Sequence, residues 1–234
     1  MASRARAAKP IKQPAVRRVR RTQSAAQILE AASRLLSRRG TLNVSVNEIA
    51  AESGLNSALI SYHFGSKEGM LLALVKRDAT VALAQLEQLV NSDLSPAEKI
   101  RLHVHGVIET YAKQPYLNRL LHLLLDVQHR RSAKDLAKFF SEPLVALESR
   151  IIDEGVRLGQ FKPIEPLLFH LLTIGMCDIL FYGRASLEFV FNTPRVTPEL
   201  RFQYAEYATA ALLALLRGAA LPVGPLPHLK RRAA

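Results

Sequence analysis

The segment 45–64 predicts two short helices joined by a tight turn, and this unit limits the folds open to the chain. Ser45 and Glu48 have the spacing of a capping box, in which each side chain accepts a hydrogen bond from a backbone N–H near the other residue. Gly54 suits a turn position with positive φ, because glycine has no Cβ. Asn56 is a good N-cap for the second helix. The chain therefore has a compact helical corner near its N-terminus.

The second helix of this corner has an apolar face and an outward face of different chemistry. Ile60 and Phe64 are four residues apart and share the apolar face, which must be buried against other helices. The outward face carries Ser57, Ala58, Ser61, Tyr62 and His63. Small residues allow close approach to a surface, and Tyr and His side chains offer hydrogen bonds. The pattern is typical of a helix-turn-helix, whose second helix enters the DNA major groove, although an ordinary helical corner has the same spacing.

The residues that follow favour the first of these interpretations. The run 49–75 resembles the tetracycline-repressor-like (TetR/AcrR) family of transcriptional regulators. The residues that match the signature of that family are Ile49, Ala50, Gly54, Ile60, Tyr62, His63, Phe64, Ser66, Lys67, Glu68 and Leu71. The departures from it are Ser53, Asn56, Ala58, Leu59 and Ser61. Ser61 replaces a frequent aromatic residue, so we expect this position to distinguish the operator preference of this protein.

The resemblance implies an all-α fold with an N-terminal three-helix helix-turn-helix DNA-binding domain and a C-terminal helical ligand-binding and dimerisation domain. The residues expected to face base edges are Ser57, Ala58, Leu59 and His63, and Leu59 suits a thymine methyl group. The residues expected to hold phosphates are Ser45, Tyr62 and Lys67. Arg20 and Arg21 are expected near the DNA backbone or minor groove. Asn56 and Ser61 complete the predicted DNA-binding set.

The positive charge of the chain is concentrated at its two ends. The formal net charge is +12, and residues 1–21 contain eight basic residues and no acidic one. Like charges, low complexity and two prolines predict that residues 1–21 are disordered. They form either an arm that follows the DNA minor groove or phosphates, or a solvated tail. We also expect a disordered tail at residues 218–234.

The rest of the chain has helical periodicity and no alternating strand pattern. A first helix at Thr22–Arg39 should end at Gly40, and Ser66 should cap a long helix at 67–89. Further helices are predicted at 96–113, 116–130, 133–159, 165–189 and 198–217, with a kink at Pro143. The predicted domains are the DNA-binding domain at 22–82 and the ligand-binding and dimerisation domain at 83–217.

No pattern in the sequence indicates catalysis. The nucleophile elbow, phosphate-binding loop, dinucleotide fingerprint and common zinc motifs are all missing from it. His122, Asp126 and His129 could share one helix face and offer ligands to a metal, but a solvated polar stripe is the simpler account. His103 and His105 are two residues apart on a helix and should point to different sides. We therefore expect no enzyme, no cofactor and no metal.

The composition of the chain favours the cytoplasm. Cys177 is the single cysteine, so no internal disulfide can form, which fits a reducing compartment. The N-terminus lacks the apolar region of a signal peptide. The most apolar run, 166–183, contains His170 and Asp178 and is too short and polar for a membrane span. We expect a cytoplasmic protein without membrane segments.

Polar side chains within the apolar helices of the C-terminal half suit either a small-molecule site or a satisfied helical core. These polar residues are His103, Tyr111, Tyr116, His170, Cys177, Asp178 and Tyr182. The resemblance implies a ligand cavity in this half. The predicted pocket residues are His103, Tyr111, Tyr116, His170, Cys177 and Tyr182.

The last two predicted helices have more apolar surface than one thin domain can cover. The resemblance implies that they form a four-helix dimer interface. The predicted interface residues are Ile174, Phe181, Phe189, Phe202, Tyr207 and Leu212. A homodimer of this kind would match a palindromic operator, because both have twofold symmetry.

The sequence thus predicts a homodimeric regulator of transcription, a ligand-responsive repressor that binds double-stranded operator DNA. Its two recognition helices should lie about 34–36 Å apart, one turn of DNA. A small-molecule effector would move the 67–89 helix as a lever and spoil that spacing. Two alternatives stay open. One is a small-molecule-binding helical protein without DNA binding, and the other is a non-specific nucleoid-type DNA binder that uses its basic tails.

Overall fold

The computed structural model describes residues 14–218, and for residues 14–20 and Val127 it describes the backbone alone. Within that range the regular elements are all helical, as predicted. The chain divides into two compact units between Val75 and Lys76, inside one long helix. The predicted boundary after residue 82 lies further along that helix. No described helix is long and apolar enough to cross a membrane.

The first unit contains α1 (Pro14–Arg39), α2 (Val46–Ser53), α3 (Ala58–Phe64) and the first part of α4 (Lys67–Val90). Its core consists of apolar side chains that recur at helical spacing in α1 and meet those of α2, α3 and α4. The fully buried members are Ile28, Ala31, Ala32, Leu36, Ile49, Met70 and Leu74. These helices are held at fixed angles by a shared core.

Helix α1 begins earlier than predicted. The expected start was Thr22, but the helix begins at Pro14, so α1 includes residues 14–21 of the predicted arm. Proline fits the first turn of a helix because its missing N–H would have no partner there. Residues 1–13 of the predicted arm lie outside the described residues. The predicted end of α1 is confirmed, since Gly40 has φ of 62° and its N–H donates to the Leu36 carbonyl.

The helix starts and turns of the corner follow the predicted chemistry. The Ser45 N–H donates to the Glu48 carboxylate at 2.7 Å, and the Glu48 N–H donates to Ser45 Oγ at 3.2 Å. Gly54 has φ of 67°, in the left-handed region. The Asn56 side chain accepts from the N–H of Ala58, the first residue of α3, at 2.8 Å. Local side-chain hydrogen bonds therefore define both helices.

The second unit contains the rest of α4 and seven further helices. Helix α5 (Pro96–Lys113) has the predicted bounds. The predicted 116–130 helix is interrupted and becomes α6 (Leu117–Leu125), a 3₁₀ turn at Val127–His129 and α7 (Arg130–Leu136). The Asp126 side chain accepts from the Gln128 N–H at 2.8 Å and so competes with the helix.

The helices after α7 are also shorter than predicted. The 133–159 prediction corresponds to the end of α7, a π-helical turn at Ala137–Ser141 and α8 (Glu142–Arg157). Pro143 lies in the first turn of α8, directly after the π-helical turn, where its missing N–H is tolerated. The predicted 165–189 helix divides at Gly183 into α9 (Pro166–Tyr182) and α10 (Arg184–Phe189), and α11 spans Pro198–Leu216.

The core of the second unit lies mainly between α5, α8, α9 and α11. Its fully or nearly fully buried side chains include Ile100, Val104, Ile108, Ile151, Phe169, Cys177, Ala205 and Leu212. Leu212 was predicted at the dimer interface. It is only 1% exposed within a single chain, so that prediction is wrong.

Two helical glycines of the second unit test this packing. A Cβ on Gly155 would overlap the ring of the buried Phe161, whereas a Cβ on Gly106 would meet nothing within 4 Å. We expect Gly155→Ala to destabilise the protein by about 1–3 kcal/mol through overpacking. Gly106→Ala, the matched control, should stabilise it by about 0.5–1 kcal/mol because alanine is the better helix former. Urea unfolding of both variants measures the difference, and two shifts of the same sign would contradict this packing.

Candidate nucleic-acid interface and ligand cavity

Helix α3 presents a distinct outer face in the first unit. Ile60 is buried in the core, as its spacing predicted, while Ala58, Ser61 and Tyr62 are exposed. Ser57 and Leu59 are half-buried beside them. Ser45 and Asn56 are exposed at the starts of α2 and α3. The middle of the outer face of α3 therefore carries small side chains, which would allow this helix to lie close to the floor of a groove.

Tyr62 and Arg21 form an exposed pair at the edge of this face. Tyr62 is 57% exposed, and the guanidinium carbon of Arg21 lies 5.4 Å from the centre of its ring. This is a cation–π geometry, and it holds the positive charge beside α3. The side chain of Arg20 lies outside the described residues. The Tyr62 hydroxyl and the Arg21 guanidinium can therefore both contact a single binding partner at this edge.

His63 differs from the sequence prediction. Its ring is half-buried and its Nε2 lies 2.7 Å from Ser24 Oγ on α1. Desolvation lowers the pKa of His63 below its ordinary value, and the nearby Arg21 charge lowers that pKa further. His63 is therefore engaged within the chain, where it ties α3 to α1. The helical spacing predicted His63 on the outward face, because spacing gives no information about a partner as distant in sequence as Ser24.

Further contacts tie α2 to α1. The Gln27 side chain donates to the Ser53 carbonyl at 2.8 Å. Glu52 accepts from Arg38 at 2.8 Å and from Arg34 at 3.3 Å. Each exposed ion pair contributes little by itself, but together with the core they set one angle between the helices. These contacts join residues that are distant in sequence, and none of them was among the sequence predictions.

Lys67 lies at the first residue of α4, next to the end of α3. Ser66 Oγ accepts from the Gly69 N–H at 3.0 Å, which confirms the predicted cap. A Cβ on Gly69 would overlap the carbonyl oxygen of Phe64, so glycine permits the close approach of α4 to α3. Lys67 is half-buried and makes no ion pair within the described residues. Its ammonium group and the free N–H groups of a helix start suit an anion such as a phosphate.

A cavity of about 580 Å³ lies within the second unit, between α5, α6, α9 and the π-helical turn. Its lining residues are Tyr111, Leu121, His122, Leu125, Asp126, Phe140, Ser141, Leu144, His170, Leu171, Ile174, Gly175 and Asp178. Of the six predicted pocket residues, Tyr111 and His170 line this cavity. The other four lie elsewhere. The signal that could have found His122 was its i, i+3 spacing to Leu125, which places these two side chains on neighbouring positions of α6.

The four remaining residues of the predicted pocket make other contacts. The Tyr116 hydroxyl donates to buried Asp78 on α4 at 2.7 Å. Cys177 lies in the core beside the Val104 carbonyl, and burial raises the pKa of its thiol to about 12. Tyr182 is 62% exposed, with its ring 4.7 Å from that of His122. His103 is buried behind the cavity.

Glu148 connects the buried histidine to the cavity. It is 1% exposed, and its two oxygens lie 2.9 Å from His103 Nε2 and 2.9 Å from His170 Nδ1. Desolvation raises the pKa of Glu148, but the hydrogen bonds and charges of the two histidines outweigh it, so the pKa is lower than usual. A buried carboxylate is thus kept ionised immediately behind the cavity wall.

The predicted polar stripe of α6 has no metal-binding geometry. His122 Nε2 lies 2.7 Å from Asp178 Oδ2, away from His129. No group of three potential metal ligands occurs among the described residues. His103 and His105 point to different sides, as predicted, because His105 lies 2.6 Å from Glu206 of α11 instead.

The outer surfaces of α9, α10 and α11 are strongly apolar. Phe189, Phe202 and Tyr207 of the predicted interface are 81%, 55% and 79% exposed. Ile174 lines the cavity, and Phe181 lies half-buried with its ring against Tyr111 at 5.7 Å. Other exposed apolar residues of this surface are Leu168, Leu171, Leu172, Ile179, Val190 and Phe191. Together they form an apolar patch that one copy of the chain leaves uncovered.

Comparison with protein families gives two matches. Residues 28–74 match the family described as bacterial regulatory proteins, tetR family. Residues 93–224 match the domain described as tetracyclin repressor-like, C-terminal. The first range contains the helical corner, and the second contains the cavity and the apolar patch.

Individual proteins resemble the chain more distantly. The HTH-type transcriptional regulator BetI of Agrobacterium fabrum is 34% identical over 85 residues, which are 33% of this chain and 38% of that protein. The nucleoid occlusion factor SlmA of Vibrio campbellii is 21% identical over 68% of this chain and 82% of that protein. The solved structure of the regulator FadR from Bacillus subtilis in complex with stearoyl-CoA has a TM-score of 0.64 at 19% identity. It covers 81% of this chain and 97% of FadR, and this likeness is one of fold.

The His63–Ser24 contact gives a testable pH dependence. In the folded protein the pKa of His63 lies below its ordinary value of 6.5, so folding favours the neutral ring. The neutral ring therefore makes its full contribution to the free energy of unfolding above about pH 6.5. That contribution is lost as the pH falls through 6.5 towards the folded pKa. We expect amide hydrogen exchange in α1 and α3 to accelerate by a few-fold from pH 7.5 to 5.5, after correction for intrinsic rates. His63→Gln should reduce this response, and an equal response in both proteins would contradict it.

Proposed function

The chain belongs to the TetR family of bacterial regulatory proteins, and from this premise we propose a ligand-responsive transcriptional repressor that binds a palindromic operator as a homodimer. The observation that carries the proposal is the outer face of α3, with small exposed residues in its middle and the Arg21–Tyr62 pair at its edge. Its partner is double-stranded DNA, so we assign the protein to the cytoplasm. BetI, which is 34% identical over 85 residues, is named as an HTH-type transcriptional regulator.

We propose that α3 enters the major groove as the recognition helix. Ala58 and Ser61 lie where base edges would be reached, and Ser61 has the exposure needed to set sequence preference. Ser57 and Leu59 are half-buried beside them and are proposed as further base contacts. The hydrogen bond between His63 and Ser24 supports a role in fixing the angle of α3 rather than in reading bases.

The proposed phosphate contacts surround that helix. Ser45 and Asn56 are exposed at helix starts, where backbone N–H groups favour anions. Tyr62 offers its hydroxyl, and Lys67 and Arg21 supply positive charge. Arg20 is proposed to act with Arg21 near the DNA backbone. These groups position the protein, whereas α3 specifies the sequence.

We propose that the apolar patch of α9, α10 and α11 is the dimer interface. Within α9 the acidic and basic side chains are His170 and Asp178, and neither belongs to the exposed apolar stripe of Leu168, Leu172 and Ile179. A twofold interface brings each stripe against its own copy, so an uncharged stripe avoids like-charge repulsion. Phe189, Phe202 and Tyr207 extend this surface.

We propose that an effector in the cavity acts on α4 through α6. Helix α6 lines the cavity with Leu121 and His122, and Tyr116 immediately before it bonds to Asp78 of α4. Helix α4 is continuous from Lys67 to Val90. An effector changes operator affinity only as far as it binds the two conformations with different affinity. FadR, solved with stearoyl-CoA, supports a small-molecule site in a protein of this fold.

Selection of random duplexes by the full-length protein tests the proposed DNA binding. We expect enrichment of one palindrome. Tyr62→Ala with Lys67→Ala should weaken binding to all duplexes about tenfold and lower the salt slope by about 1, because one phosphate-bound cation is lost. Lys113→Ala removes an exposed lysine of α5 and is the matched control, which should bind normally.

The same selection separates the alternative functions. Enrichment of no duplex would favour a ligand-binding protein without DNA binding. Binding without any sequence preference, unaffected by changes in α3, would favour a nucleoid-type protein. Either result would contradict a repressor with its own operator.

A charge placed in the apolar patch tests the dimer. Ile179 on α9 is 55% exposed, and Val81 on α4 is 56% exposed. We expect Ile179→Asp to weaken dimerisation at least about 100-fold, since two buried carboxylates would face each other across the twofold axis. Val81→Asp should stay dimeric. Sedimentation velocity measures both, and a dimeric Ile179→Asp protein would exclude α9 from the interface.

A further inference from the structure

The residues that line the cavity of the second unit include carboxylates but no lysine or arginine. Asp126 and Asp178 line it, and no lysine or arginine is among its lining residues. Behind the wall, the buried Glu148 adds a third carboxylate, held ionised by His103 and His170. These three carboxylates are matched by no lysine or arginine in the cavity lining, so an anionic molecule entering it would meet no ammonium or guanidinium group.

The carboxylate of Asp178 keeps capacity for a further partner. It accepts hydrogen bonds from the Asn118 amide and from His122 Nε2. A carboxylate has about four lone-pair sites, so it can still accept from a molecule in the cavity. Asp178 is half-buried, which limits the screening of its charge by water.

His170 lines the cavity, and its contact with Glu148 uses only one of its two ring nitrogens. A carboxylate can only accept hydrogen bonds, so His170 must donate its Nδ1–H to Glu148. In the neutral ring the remaining nitrogen, Nε2, then has a free lone pair. The Glu148 contact thus fixes the tautomer that presents an acceptor.

Tyr111 supplies the second, independent indication of a ligand. Its side chain is 5% exposed and lines the cavity, yet its hydroxyl makes no hydrogen bond to a described residue. Burial raises the pKa of this phenol, and the charge of Asp178 raises it further, so the group stays protonated. The hydroxyl is therefore available to hydrogen-bond with a molecule in the cavity.

The opposite side of the cavity is apolar. Its wall is formed by Leu121, Leu125, Phe140, Leu144, Leu171 and Ile174. Such a wall binds a hydrocarbon or aromatic body, while the polar residues fix one end of it.

We infer that the effector is an organic cation, with an apolar body against the leucine and phenylalanine wall and a protonated amine directed at Asp178, Tyr111 and His170. The inference rests on the proposed function, because it names the ligand class of the same cavity. Carboxylates and phosphates are excluded from this end by the two aspartates and by Glu148. A neutral alcohol can use the hydrogen-bond acceptors but not the charge.

Three probes of equal shape test the ligand class: 4-phenylbutylamine, 4-phenylbutan-1-ol and 4-phenylbutyrate. Calorimetric titration of the full-length protein at pH 7.5 should give an affinity for the amine at least about tenfold above that for the alcohol, with the carboxylate weakest. Asp178→Asn should lower the amine affinity about tenfold and leave the alcohol affinity unchanged. Asp153→Asn, which removes an exposed carboxylate of α8, is the matched control and should change neither.

Tyr111→Phe keeps the ring and removes the hydroxyl, so it gives a second test if Asp178→Asn fails to fold. It should lower the amine affinity several-fold at unchanged circular dichroism. Equal or tighter binding of the carboxylate, or binding of none of the probes at millimolar concentration, would overturn the inference. Amine binding that depends on Asp178 but leaves operator binding unchanged would support the ligand class and contradict the ligand-responsive repressor.

Discussion

The attachment of two very short helices to α1 is the constraint on which the first unit depends. Helices α2 and α3 have eight and seven residues, and helices of this length are not stable alone in water. Their angle is set by burial of Ile60 and by the hydrogen bonds from Gln27 and between His63 and Ser24. The orientation of any recognition surface on α3 therefore depends on the contacts between α3 and α1.

The parts of the fold that were predictable from the sequence are those fixed by local chemistry. The caps at Ser45 and Ser66 gave the starts of α2 and α4 within a residue, because a cap needs only its own first turn. The start of α1 was missed because Pro14 was interpreted as a helix breaker, although it occupies the first turn. The interruption after α6 was missed because the Asp126 side chain competes locally with a strongly periodic helix.

The candidate sites were less predictable because their partners are distant in sequence. Glu148 joins His103 and His170 across two helices, and nothing near it in the sequence indicates this. Tyr116 and Cys177 have the same polar-in-apolar pattern as Tyr111, yet they meet Asp78 and the Val104 carbonyl instead of a cavity. A helical pattern identifies the buried face but not the neighbour that the face meets.

The π-helical turn at Ala137–Ser141 has a consequence for how cavities of this kind diverge during evolution. Such a turn holds one residue more than an α-helical turn, and it ends next to Pro143, which has no N–H to donate. Loss of one residue there would restore a regular helix without moving α8 from the core. The residues of the turn, which include the cavity-lining Phe140 and Ser141, would take new positions about the helix axis. A single deletion can therefore replace part of the wall at once, whereas point substitutions would alter it one side chain at a time.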